Sequence, residues 1–275
     1  MIFLKKTTII LLLIIATVAS VTVPSFASVN KVNVYIDGAI LVCDTSPREI
    51  NGIVYVPIRA FCDALGADAV SWSSSTKTAK VNARKIEVSA SENNSYIIAN
   101  GRYLYLAENE NIDNRIFVPL SSIAQAFGCE VSTSYTDVFV KDNGTPIKSG
   151  DSFYDADEVW WLARIIHAES QGEPLLGKIA VGNVILNRVN HKDYPNTIYG
   201  VIFDKKYGVQ FTPAASGTIY NNPGTDSIAA AKICLEGYSV SNRILFFMNP
   251  RIATSNWISK NRPFAFSIKN HDFYY

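Results

Sequence analysis

One short segment occurs twice in this chain, and the duplication narrows the folds open to its first half. Asn51-Gly52-Ile53-Val54-Tyr55-Val56-Pro57-Ile58, closed by Leu65-Gly66, is echoed by Asn114-Arg115-Ile116-Phe117-Val118-Pro119-Leu120, closed by Phe127-Gly128. In both copies Val-Pro ends a strand, because proline has no N–H for the next ladder bond. A helix begins beside it, where proline is tolerated. Internal duplication is the simplest account. Around the copies, Val32, Val34 and Ile36 alternate like a strand and meet the Asp37-Gly38 turn. Ile58, Phe61 and Leu65 share one helical face before Gly66. Val70 to Trp72 and Thr78 to Val81 read as strands joined by a Ser-rich turn. Residues 28–148 are therefore expected to form an α+β repeat domain.

A change of pattern follows. Asp142-Asn143-Gly144-Thr145-Pro146 and Lys148-Ser149-Gly150 are turn residues without periodicity, and the boundary is placed there. Residues 149–275 read as a second domain, mostly helical with small β elements. Asp155 suits an N-cap, with Glu158 in the first turn. Val159, Leu162 and Ile166 form a stripe, with Trp161 and Ile165 beside it. That helix is expected to stop near Gly172, and Glu173-Pro174 to start the next. Leu175 to Val189 is apolar on most sides, the mark of a central buried helix. Ile244 to Met248 reads as a buried strand.

Ahead of both domains, Lys5 and Lys6 precede the apolar run Ile9 to Val18 and the small-x-small site Ser25-Phe26-Ala27. This order is that of a secretory signal peptide, residues 1–27. The run is shorter than the ~20 residues needed to span a bilayer, so no stable membrane span is expected after cleavage. With 25 Lys+Arg against 24 Asp+Glu the chain is nearly neutral. Nothing in that balance points to nucleic acid as a partner. Cys43, Cys62, Cys129 and Cys234 allow two disulfides in an exported protein. Their spacings do not resemble a disulfide framework, and Cys62 and Cys234 sit in apolar helical patterns that suit buried thiols. Without a CxxC pair a structural zinc is not expected. His167, Glu169 and His271 lack an HExxH-type pair, so a metal is set aside there too. A Cys234–His271 thiol pair lacks a Gly-rich nucleophile turn. No cofactor is expected.

Glu169 stands at the end of an amphipathic helix, beside the start of the buried one. A carboxyl against apolar walls has its pKa raised, because burial disfavours the charged form. It can then donate a proton to a glycosidic oxygen. Other residues have two readings each. Glu173 offers a second carboxylate, but its place before a helix-starting proline suits a structural role. Asn187 and Arg188 are expected to bond backbone and carboxyl groups rather than substrate. Gln210-Phe211, in a loop, pairs an amide with an aromatic and suits an N-acetyl sugar. Asn249, before Pro250, either orients a site or forms the turn. Trp257 either stacks on a sugar or fills the core. His271 is either structural or substrate-binding.

Two resemblances add to this reading. The Val-Pro/apolar-Gly pattern and the turn from Trp72 to Thr78 resemble the domain named after the N-terminal region of copper amine oxidases. That name implies no copper, and residues 28–148 contain no histidine. The resemblance implies a non-catalytic module, either holding an enzyme near a wall or acting as a spacer. Ala163-Arg164-Ile165-Ile166-His167-Ala168-Glu169-Ser170-Gln171-Gly172-Glu173-Pro174 opens a second resemblance, to the SleB-type cell wall hydrolase family. It continues through Gly177 to Val181, Val184 to Val189, Tyr194 to Ile198, Gly200 to Ile202, Gln210-Phe211, Phe247 to Pro250, Trp257 and His271 to Tyr274. It implies a lysozyme-like α+β domain acting on peptidoglycan glycan strands after N-acetylmuramic acid. Glu169 is the implied catalytic acid. Gln210, Phe211, Asn249, Trp257 and His271 are the substrate-binding candidates.

Hydrolytic glycosidases use two carboxylates, whereas a lytic transglycosylase lets one Glu act as acid and then as base. The single strong carboxylate favours the second course. A hydrolytic muramidase pairing Glu169 with Glu173 or Asp226, and a non-catalytic wall-binding protein, are the alternatives. The signal peptide and the resemblance together imply a secreted protein of the cell wall or spore envelope, and an accessory or inhibitory protein is a further candidate partner.

Overall fold

The computed structural model describes residues 29–206 and 208–275. The expected signal peptide, residues 1–27, lies outside the described residues. The fold is α+β, with two hydrophobic cores, one drawn from residues 32–140 and the other from 162–273. The duplicated segments form strand–helix units, Ile53–Pro57 with Ile58–Ala64 and Arg115–Pro119 with Leu120–Ala126. Their strands lie side by side and antiparallel in a five-stranded sheet, Val56 opposite Val118. Each proline falls on the last strand residue, where the missing N–H costs the ladder least. Phe61 of the first helix and Phe127, the C-cap of the second, meet in the first core with ring centroids 6.5 Å apart.

A second five-stranded sheet is an antiparallel meander running from Ala67–Ser73 to the edge strand Arg102–Tyr105. The segment after Asp142 is tied down rather than loose. Ile147 N–H donates to the Ala126 carbonyl, the Asn100 side chain donates to the Ile147 carbonyl, and Gly150 N–H donates to the Asn100 carbonyl. A Cβ on Gly150 would stand 2.5 Å from the Gly101 carbonyl oxygen, so the close approach requires glycine.

In the second half three helices pack together: a leading helix Ala156–Ser170, a core helix Leu175–Val189 and a third, Thr225–Leu235. Asp155 caps the first, accepting from the N–H groups of Asp157 and Glu158. Pro174 is the N-cap of the core helix rather than its first residue, a one-residue difference from the sequence reading. The three helices approach closely at Gly182. A Cβ there would lie 2.7 Å from Cys234 Sγ and 2.9 Å from Ile166 Cδ1. A three-stranded antiparallel sheet, Phe246–Met248, His271–Tyr274 and Phe264–Ile268 in spatial order, closes the far side. The strand read from Ile244 begins only at Phe246, because the Leu245 carbonyl is taken by Arg188.

The halves are joined by more than the chain. Arg102 grips Glu236 with two bonds, Nε to Oε1 at 2.9 Å and Nη2 to Oε2 at 2.5 Å. The Tyr154 hydroxyl donates to the same carboxylate and accepts from the Tyr103 N–H. Tyr96, Tyr103 and Tyr105 pack against the second core, with Tyr105 and Tyr238 rings 4.2 Å apart. An edge strand that would otherwise expose unpaired backbone is thereby covered. All four cysteines are free thiols, and Cys62 and Cys234 are buried. No helix among the described residues is long and apolar enough to cross a membrane.

Candidate active site

Glu169 sits on the last turn of the leading helix. That turn is anchored from below by cations, which favour helix C-termini. Lys178, buried on the core helix, donates to the carbonyls of Gln171 and Glu173, and Lys269 donates to the Gly172 carbonyl at 2.6 Å. Glu173 turns away from Glu169. Its carboxylate is buried and accepts from the Asn270 side chain at 2.8 Å and the Asn270 N–H at 3.4 Å. It therefore fastens the helix junction to the terminal hairpin, the structural role expected of it.

Glu169 opens instead onto a cleft of about 840 Å³, a size typical of small-molecule sites. Its carboxyl accepts no hydrogen bond from any side chain or backbone group among the described residues. Burial pushes its pKa from an ordinary 4.5 up to about 7, against a downward pull from Arg188. At neutral pH a large share of Glu169 is protonated, as a proton donor must be.

Arg188 shares the cleft wall. It is 6% exposed, a charged residue at the end of a helix otherwise greased nearly all round. Its Nε donates to the Leu245 carbonyl at 2.8 Å, the backbone bond expected from sequence. The guanidinium lies 5.0 Å from the Tyr194 ring centroid, 5.2 Å from Phe211 and 5.5 Å from Phe246. Its Nη1 is buried without a partner. Burial pushes its pKa down, and Tyr194, Asp204 and Glu169 draw it up. Neighbouring Asn187 donates to the carbonyls of Ser241 and Ile244. Together these bonds hold the loop and sheet opposite Glu169.

The structure brings Gln210, Phe211 and Trp257 to the same cleft. Phe211 is buried and its ring stacks near Phe247, at 6.4 Å. Trp257 is 51% exposed at the rim, with the Arg262 guanidinium 5.3 Å from its ring. It lies half-exposed at the surface and does not fill the core. Asn249 and His271 are not brought to the cleft wall. The Asn249 side chain accepts from the Arg251 N–H and its carbonyl from Ile252 and Ala253, so it forms the turn. His271 is buried behind Phe247, ring centroids 5.3 Å apart, with Nδ1 unpartnered. Burial pushes its pKa down, while Glu173 and Asp272 draw it up.

Sequence reasoning assigned no site role to Arg188, His191, Asp193, Tyr194 or Arg262, all of which line the cleft. One signal pointed to the first: a charge in an apolar helix needs a purpose. Cys234 is fully buried, donating to the Ile179 carbonyl at 3.4 Å, and burial pushes its thiol far up. It is inert packing. Among the described residues no group of three or more His, Cys, Asp or Glu converges as a metal site.

Two family models match separate stretches of the chain. The family described as Cell Wall Hydrolase matches residues 172–274, and that described as Copper amine oxidase N-terminal domain matches residues 35–140. A spore cortex-lytic enzyme of Bacillus cereus is 37% identical over 133 residues, covering 48% of this chain and 49% of the relative. The cell wall hydrolase CwlJ of Oceanobacillus iheyensis is 32% identical over 107 residues, covering 36% of this chain and 74% of the relative. The solved catalytic domain of the germination-specific lytic transglycosylase SleB from Bacillus anthracis is 36% identical, with a TM-score of 0.41, covering 47% of this chain and 100% of that one. The chain spans about half the length of the spore cortex-lytic relatives it matches first.

Proposed function

Because the chain belongs to the cell wall hydrolase family, we propose that it cleaves peptidoglycan glycan strands at the bond after N-acetylmuramic acid, as a lytic transglycosylase with Glu169 as its acid. The observation that carries this reading is the environment of Glu169: a partly buried carboxyl on a cleft wall, without hydrogen bonds from described residues, its pKa pushed up to about 7 by desolvation. Neutral Glu169 gives its proton to the glycosidic oxygen as the bond to the anomeric carbon breaks. The ionised carboxylate then takes the proton of the muramic C6 hydroxyl as that oxygen closes on the anomeric carbon. One residue serves as acid and then base, and the product is an anhydro sugar. Arg188 stabilises the ionised form between the two steps, because its buried cation is the nearby opposite charge. Gln210 and Trp257 supply an amide and a ring face to the N-acetylated sugars.

A hydrolytic reading needs a second carboxylate. Glu173 is committed to Asn270, and Asp226 is exposed on the first turn of the third helix, off the cleft. Asp193 is the other carboxylate on the cleft lining among the described residues, and it is the group such a mechanism would use. Residues 28–148 act in this proposal as a non-catalytic platform, and the protein works in the cell wall or spore envelope. An accessory or inhibitory protein belongs to the same proposal as a partner that modulates it.

The test is mass spectrometry of muropeptides released from purified spore cortex, and then from vegetative wall, by wild type and Glu169→Gln. Anhydromuramic ends from wild type alone are expected. Only reducing ends would overturn the transglycosylase mechanism. No release by either protein from either wall would overturn the enzymatic reading.

A further inference from the structure

The second half carries a cluster of rings that the cleft does not use. Trp161 is its hub. Trp160, Tyr199, Phe203 and Tyr220 surround it with centroids 4.4, 5.0, 5.3 and 6.2 Å away, each close to edge-on. Such packing is favourable for aromatic quadrupoles, but it does not require the outer rings to face water. They do: Trp160 is 39%, Tyr199 52% and Tyr220 58% exposed. Contiguous exposed aromatic surface on a folded domain marks a binding site more often than chance packing. The first half covers a different face, gripping Glu236 and Tyr238, and leaves these rings open.

Their position relates them to the cleft. Phe203 packs against Tyr199 at 4.6 Å, its ring tilted by 36°, and also lines a small hollow of about 230 Å³. The other wall of that hollow includes Val209, Gln210 and Phe211, which line the cleft as well. The cleft and the hollow thus share Val209, Gln210 and Phe211, and Phe203 on the hollow's other side leads to Tyr199 and, through Trp161, to Tyr220. The rings also have the right character for sugars, with flat apolar faces and polar tips. Arg164 and Asn222 add donors beside them, Nη2 to Oδ1 at 3.3 Å, and the Arg164 guanidinium covers one face of Trp160 at 3.8 Å.

We propose that Trp160, Tyr199 and Tyr220 form a second glycan-binding platform that holds the same N-acetylated glycan strand outside the catalytic cleft. The inference rests on the glycan-cleaving reading of Glu169. A polymeric substrate is longer than the cleft and must leave it across a neighbouring surface. An aromatic platform beside the cleft captures that length by stacking, raising the local concentration of scissile bonds.

The experiment measures binding apart from chemistry. Full-length protein carrying Glu169→Gln is titrated with peptide-stripped glycan strands, with and without Tyr199→Ala and Tyr220→Ala together. Retention is expected to weaken about tenfold, with Tyr→Phe at both positions restoring most of it. Circular dichroism and sedimentation check that fold and oligomeric state are the same. Equal retention by the two proteins would overturn the platform. So would a loss traced to a changed oligomeric state, which would make the rings a contact between copies. Muropeptide release by protein with an intact Glu169 separates the two ideas. Weakened retention without any release by wild type leaves the platform standing and removes the chemistry. Release at the wild-type rate from intact cortex by the double variant, with retention unchanged, removes the platform alone.

Discussion

Each half of the molecule has a cleft with carboxylates on its wall, and the two treat those carboxylates in opposite ways. In the first half a cleft of about 450 Å³ includes Asp44 and Arg115, whose Nη2 donates to the Asp44 carboxylate at 2.6 Å. Asp44 is fully exposed to solvent, and that bond holds its pKa below the ordinary value. In the second half Glu169 is partly buried on the cleft wall, receives no such bond, and has its pKa pushed up to about 7 by desolvation. An exposed, paired carboxylate is ionised at every physiological pH and has no proton to give. A partly buried, unpaired one with a pKa near 7 keeps its proton on a large share of molecules at neutral pH. The difference explains why chemistry is assigned to one cleft although both have acid and base side chains.

The largest expected effect breaks that symmetry directly. Glu169→Gln should lower muropeptide release by about 10³-fold or more, within or above the range for loss of a general acid. Asp44→Asn should leave release within about twofold of wild type, since a solvated charge away from the cleft has no part in the transition state. A comparable loss from both substitutions would show that the comparison between clefts is mistaken.

Next in size is the joint between the halves. Arg102 and Glu236 have side chains only 13% and 6% exposed. Removing one partner of a buried pair strands the other and costs about 3–5 kcal/mol. Glu236→Ala should therefore lower the melting temperature and split calorimetric unfolding into two transitions. Unfolding that stays single and unshifted would mean the halves are not coupled through this pair.

The pH dependence sharpens the contrast between Asp44 and Glu169. The folded pKa of Glu169 lies above its ordinary 4.5, so ionisation opposes folding. The folded state has its full stability below about pH 4.5 and loses part of it as pH rises through 7. Glu169→Gln should recover up to about 3 kcal/mol at pH 8 and nothing at pH 4. Chemical denaturation at both values measures this, and equal stabilities at pH 8 would argue against the burial of the carboxyl. Release should fall above pH 7 in wild type. Arg188→Gln removes the cation that favours ionised Glu169, so its falling limb should move to higher pH. Arg188→Lys should keep the limb near its wild-type position. Tyr194 and Asp204, which also face Arg188, are unchanged in both variants.

Local physics made much of the fold legible. The core helix was read with its observed ends, Leu175 and Val189, because apolar residues on all sides leave only a buried place for it. The Asp155 cap and the two Val-Pro junctions were equally local. Long-range partnerships were not. Arg102 and Glu236 are 134 residues apart, and neither has a neighbour in sequence that announces the other. Glu169 was legible as a candidate from its helix end and motif, but its coupling to Arg188 depends on how two helices cross at Gly182. Asn249 and His271 belong to the same ordered motif as Trp257, yet one closes a turn and the other packs behind Phe247. A motif records which residues recur together and does not say which of them point into the cleft.

The smallest expected effect decides between mechanisms. Asp193 lies on the cleft lining but is well exposed, 3.8 Å from His191 Nδ1. If water were the nucleophile, the base that activates it would have to be a carboxylate within reach, and Asp193→Asn would cost about 100-fold or more. If the muramic C6 hydroxyl attacks, Glu169 is base as well as acid, and Asp193 contributes only a screened surface charge. Its replacement should then change release by no more than about threefold, with anhydro ends still the product. Because the small effect is the informative one, the assay must include Glu169→Gln as its floor. A drop to that floor would move the second catalytic role from Glu169 to Asp193.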